Sequence, residues 1–167
     1  MRKRILPGLG PSLRPGAGAL LLALLAACSP SMVPGTQIPD NRENRELLKQ
    51  VELYRQAVER KDAPAVIDMV SETYYDTRGH PDDPTFHWDY NRLKAELPER
   101  LALVKDLRLE IIPRRIEVKK DHAQVIYLFT QDFMAVLPTG EVAKHESDLN
   151  RMEFQRINKK WLITRGL

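Results

Sequence analysis

Residues 107–167 read LRLEIIPRRIEVKKDHAQVIYLFTQDFMAVLPTGEVAKHESDLNRMEFQRINKKWLITRGL. Apolar and polar residues alternate along four runs, Leu107–Lys119, Ala123–Leu137, Glu141–Ile157 and Lys160–Leu167. That period predicts strands. The separators are Lys120-Asp121-His122, Pro138-Thr139-Gly140 and Asn158-Lys159. Connections this short force antiparallel neighbours, so the stretch predicts a four-stranded meander. The second run carries Val125, Tyr127, Phe129 and Phe133 on one face and Ile126, Leu128, Met134 and Val136 on the other. One apolar face is expected to meet helices. The other needs a cover, and a second copy of the chain, a homodimer through the sheet, is the simple candidate.

Upstream the period becomes helical. Leu47, Leu48, Val51, Tyr54, Ala57 and Val58 recur at three- and four-residue spacing, which predicts a helix over 43–60. Asp62 with Pro64 reads as an N-cap and first turn, opening a short helix with Val66, Met69 and Val70 on one side. The segment from Ser71 to His87 is rich in Gly, Pro and Asp and predicts a brief strand at Thr73-Tyr74-Tyr75 followed by a loop. A third helix is expected over 89–104, kinked or split near Leu97 because Pro98 removes a backbone donor and crowds the preceding turn. Helices followed by a meander give an α+β class, with helices packed on one face of a curved antiparallel sheet.

The order is a long helix with a tyrosine, an AVERKDAPAV joint, a short helix, a YYD segment and a meander ending in KKWLI. Over about residues 43–167 it resembles the nuclear transport factor 2-like (SnoaL-like) superfamily. The resemblance implies a cystatin-like cone, a bent sheet wrapped around helices, often dimerising through the sheet. It includes ketosteroid isomerase and scytalone dehydratase, with Asp, His and Tyr inside the cone, alongside many binding domains without catalysis. Fold alone leaves the function open.

The candidate site follows from strand alternation. Tyr127 and Gln131 share a face of one strand; Asp148 and Asn150 share a face of the next. If both faces point inward, these residues and Tyr74 line a pocket for a small, partly polar ligand. A buried Asp148 would act as a base; a solvated or bonded one would not. His145 and Asp148 are three apart, on opposite strand faces, and do not form a direct pair. His80, Asp82, Asp83 and His87 lack regular ligand spacing and read as a solvated lid loop, so no metal is expected. There is no glycine-rich phosphate loop and no nucleophile elbow. No cofactor and no catalytic residue are assigned. The leading expectation is a domain that binds a small ligand or a protein without catalysis. The alternatives are a cofactor-independent lyase, isomerase or hydrolase using the cone, and a structural envelope component with a filled cone.

The N-terminus sets the expected location. Arg2-Lys3-Arg4 is a basic n-region, and Ala17–Ala27 is an 11-residue apolar core, shorter than a bilayer span. It ends in Leu25-Ala26-Ala27-Cys28, which resembles the lipobox of bacterial lipoproteins. That resemblance implies removal of residues 1–27 and a lipidated Cys28 as a membrane anchor. Ser29, where an Asp would act as a retention signal, implies the outer membrane facing the periplasm in a Gram-negative envelope. Residues 28–42 carry three prolines and read as a flexible tether reaching about 40 Å when extended. Of 26 basic side chains, four precede the cysteine and no acidic one does. The remaining 22 face 23 acidic ones, a net of −1, so the pI near 9.0 is no argument for nucleic-acid binding. Lys119, Lys120, Lys159 and Lys160 fall at one end of the meander, where turns usually carry charge for solubility. Replacing the only cysteine, Cys28→Ser, is expected to abolish radiolabelled palmitate incorporation and release from the leader. Unchanged labelling and membrane fractionation would refute the anchor.

Overall fold

The computed structural model describes residues 31–167; Cys28 and the leader lie outside the described residues. The first helix, α1 (Arg42–Glu59), starts where the Asn41 side chain accepts from the Asn44 N–H at 2.9 Å. Leu47, Val51 and Ala57 form its buried stripe. After a left-handed turn at Lys61, Asp62 caps α2 (Ala63–Ile67), with Pro64 in its first turn. The brief strand falls slightly later than the tyrosine run predicts. Here β1 (Tyr75–Asp76) pairs with β2 (Trp88–Asp89), because Ser71 and Thr73 are engaged in a side-chain-bonded turn. Asp89 then caps α3 (Tyr90–Ala102).

The expected split at Pro98 is absent, and α3 runs through it. Glu96 receives Arg92 at 2.6 Å and Arg100 at 2.8 Å, tying together the turns on either side of the proline. Leu93 and Leu101 hold the same helix into the protein. Each exposed pair contributes only about 0.3–0.5 kcal/mol, but the packing and the pairs act in the same direction.

The sheet has the order β3 (Val104–Lys119), β4 (His122–Leu137), β5 (Gly140–Ile157), β6 (Lys160–Arg165), all antiparallel. Its register slips between Lys105 and Arg108, and again between Pro113 and Arg115. Pro113 has no N–H for the ladder, so a bulge is the natural place for it. The core joins Leu47 and Val51 of α1, Leu93 of α3, Val125 and Tyr127 of β4, Met152 and Phe154 of β5, and Trp161 and Ile163 of β6. Helices therefore cover one face of a curved sheet, as the α+β class requires. No helix among the described residues is long and apolar enough to cross a membrane.

The tether is shorter than expected. Residues 31–41 turn back on themselves, with Met32 bridged to Pro39, the Val33 N–H donating to Ile38 O, and Gly35 supplying the positive φ. Asn44 clamps the return by donating to Pro39 O at 2.7 Å. Ile38 is 1% exposed. Burying one isoleucine contributes roughly 1.5–3 kcal/mol, which adds to these hydrogen bonds in holding the segment against the domain. The folded unit consequently begins at Ser31. Ile38→Ala is expected to lower stability by about 2–4 kcal/mol in urea unfolding; a free tether would show no change.

Candidate functional site

Helix α1 turns Tyr54 toward the sheet, and the β4–β5 register brings the sheet residues to meet it. Tyr127 stands opposite Asn150, Phe129 opposite Asp148, and Gln131 opposite Glu146. Tyr127 is 3% exposed. Its hydroxyl donates to Gly166 O at 3.3 Å and accepts from Asn150 Nδ2 at 3.2 Å. Together with Tyr54, these residues line a cleft of about 210 Å³ whose apolar wall is Val58, Leu109, Ile111 and Phe129. Gln131 lies at the outer side, donating to Glu146 at 2.6 Å.

Burial pushes the Tyr54 hydroxyl up to about 12, against a smaller downward pull from the Arg78 guanidinium. Burial also raises Tyr74 and Tyr127. All three are neutral phenols near pH 7, able to donate hydrogen bonds.

Two expected pocket residues lie elsewhere. Tyr74 is 2% exposed within the packed core and lines neither this cleft nor the two that adjoin it. Asp148 does lie on the helix-facing side of β5, but beyond the reach of the helices. It is solvent-exposed, accepts from its neighbour Leu149 N–H at 2.7 Å, and lines a wider mouth of about 470 Å³. It is not buried, so the condition for a buried base is not met. In the lid loop, His87 Nε2 faces His80 O at 2.8 Å and must donate there. Its Nδ1 is hydrogen-bonded with the Tyr75 hydroxyl at 2.6 Å.

The residue that alternation could not find is Arg78. It lies in the Gly- and Asp-rich loop with a left-handed φ of 51°, and its N–H donates to Asp76 Oδ1 at 2.6 Å. Arg78 and Leu167 line the cleft, the mouth and a third, mostly apolar pocket of about 170 Å³ beside Trp88. Asp76 Oδ2 also accepts from Gly166 N–H at 2.7 Å, so one carboxylate fixes both the loop and the chain end. Gly166 has φ +93°, and a Cβ there would lie 2.0 Å from Arg151 O. Gly166→Ala is therefore expected to cost at least about 2 kcal/mol in urea unfolding; a smaller loss would show that the end of the chain does not hold the site together.

No family model and no curated protein sequence matches this chain. Solved structures do. A conserved protein from Planctomyces limnophilus superposes with a TM-score of 0.62 at 10% identity, covering 74% of this chain and 92% of its own. A ketosteroid isomerase-like protein from Erwinia carotovora atroseptica gives 0.60 at 18%, covering 75% and 94%. A nuclear transport factor 2-like superfamily protein from Salmonella enterica gives 0.58 at 15%, covering 73% and 86%. At these identities the likeness speaks for architecture alone. The chain has the nuclear transport factor 2-like fold.

Proposed function

We propose that this chain is an envelope lipoprotein whose domain binds a small, partly polar ligand in the cleft between α1 and the sheet. The observation that carries the binding reading is the Tyr127–Asn150 pair facing Tyr54 across an apolar wall. Convergent polar groups in a mostly apolar concavity are what a specific ligand site needs. Binding without turnover is favoured by the nearby carboxylates. Asp76 holds two backbone N–H groups, and Asp148 is solvated. Glu146, at the outer side of the cleft, is exposed and accepts from Gln131. None of the three is placed as a proton-accepting base. The anchor rests on the basic n-region, the apolar core and Cys28. For the outer sheet face we propose a second copy of the chain as cover, since Leu149 is 60% exposed beside Leu128 and Ile126.

Native mass spectrometry of the membrane-extracted protein is expected to show a small-molecule adduct. Asn150→Leu should reduce its occupancy about tenfold at matched concentration, the equivalent of one lost hydrogen-bonded contact. The released molecule should keep its mass after prolonged incubation with fresh protein. Equal occupancy in the variant would sink the site, and a changed mass, or an unchanged mass with a changed chromatographic retention, would establish the enzymatic alternative.

A further inference from the structure

Three guanidiniums surround a single buried indole. The Cζ atoms of Arg100, Arg78 and Arg92 lie 4.6, 5.2 and 5.6 Å from the Trp88 ring centroid. One cation over an indole is attracted to its face, but three crowd like charge into one place. Their hydrogen-bond partners separate them. Arg92 is engaged by Glu96 and by the carbonyls of Thr85 and His87. Arg100 directs Nε and Nη2 to Glu96, which leaves its Nη1 edge free. The Arg78 side chain has no hydrogen-bond or ion-pair partner among the described residues; only its backbone N–H is bonded.

The two arginines with free donors are the two that line the pocket beside Trp88, and no acidic side chain lines that pocket with them. Its other walls include Val58, Leu97 and Tyr54. The Tyr54 hydroxyl has no hydrogen-bond partner among the described residues and lies within the field of Arg78. Free donors of Arg78, Arg100 and Tyr54 therefore line one pocket, and Arg78 and Tyr54 also line the adjoining cleft between α1 and the sheet. An arginine fork takes the two oxygens of a carboxylate side by side.

We propose that Arg78 and Arg100 form an anion-binding end to the cleft, and that the ligand is an amphipathic monocarboxylate whose apolar body packs on the walls meeting at Arg78. This rests on the cleft being a ligand site. The carboxylate accepts a bidentate pair from Arg78, with the free edge of Arg100 and the Tyr54 hydroxyl completing its shell. A phosphate monoester would bring a second charge and a third oxygen to the same donors, and titration separates the two heads.

The test is isothermal titration of the full chain in non-ionic detergent with 4-phenylbutanoate, 4-phenylbutanol and 4-phenylbutyl phosphate. The carboxylate is expected to bind at least about tenfold more tightly than the alcohol. Its affinity, and not the alcohol's, should fall as sodium chloride is raised. Arg78→Gln should collapse the preference to below about threefold, and Arg78→Lys should keep part of it. Lys49→Gln, outside the clefts, should leave the preference intact. Equal affinity for carboxylate and alcohol, or a preference that survives Arg78→Gln, overturns the anion site while leaving the cleft in place. Tighter binding of the phosphate overturns the monocarboxylate assignment. Binding of none of the three overturns the cleft reading and this one together. The salt dependence of the unmodified protein decides the matter even if the Arg78 variants fail to fold.

Discussion

The structure depends on the pairing of β4 with β5. Sixteen consecutive cross-strand pairs run from His122 opposite Gln155 to Leu137 opposite Gly140 without a bulge. Gly140, at φ +125°, makes the tight return that sets this register. Side chains alternate with a period of two, so a slip of one residue in β5 would turn Asn150, Met152 and Phe154 to the outer face. The helices would lose the apolar surface on which they pack, and Tyr127 would lose the carboxamide opposite it. Irregularity falls in the flanking pairings: two register shifts in β3 bend the sheet around α1, and a third lies between β5 and β6 at Glu153 and Phe154.

Much of this was legible because it is local. Turn residues marked the hairpins, and alternation grouped Tyr127 with Gln131 and Asn150 with Asp148; the strand register is what joins the two groups on one face. The misreadings share a cause: each depends on where another element ends. Asp148 has the correct parity, but parity does not tell how far the helices extend, and beyond them β5 is solvated on both faces. Ile38 is a lone apolar residue between prolines and glycine, a composition that reads as tether; its burial is a long-range event. Pro98 lowers local helix propensity, yet Glu96 and the packed leucines outweigh it. Arg78 is in a loop with no periodicity, so no pattern selects it from other surface arginines.

The loop and the sheet are nevertheless one mechanical unit. From Arg78 N–H the hydrogen bonds run to Asp76, from Asp76 to Gly166, from Gly166 O to Tyr127, and from Tyr127 to Asn150. Each link is buried or partly so, where an unpaired member would cost about 1–3 kcal/mol. The series fixes the backbone that carries Arg78 relative to the carboxamide in the cleft. It leaves the guanidinium itself without a partner. Asp76 is thereby explained without chemistry: its carboxylate is a brace, accepting two N–H groups that no strand or helix satisfies.

A free guanidinium beside two others is a poor device for stability. Like charges around Trp88 repel, and a single carboxylate, Glu96, is bonded to the cluster's side chains. A neutral residue in place of Arg78 would relieve that repulsion while keeping every hydrogen bond of the brace, because the brace uses only the backbone N–H. A bound anion would relieve the same repulsion, as the proposed site requires. The same physics accounts for the neutral phenols. Surrounded by apolar walls, they donate without adding charge, which leaves the charge around Trp88 to its arginines and Glu96.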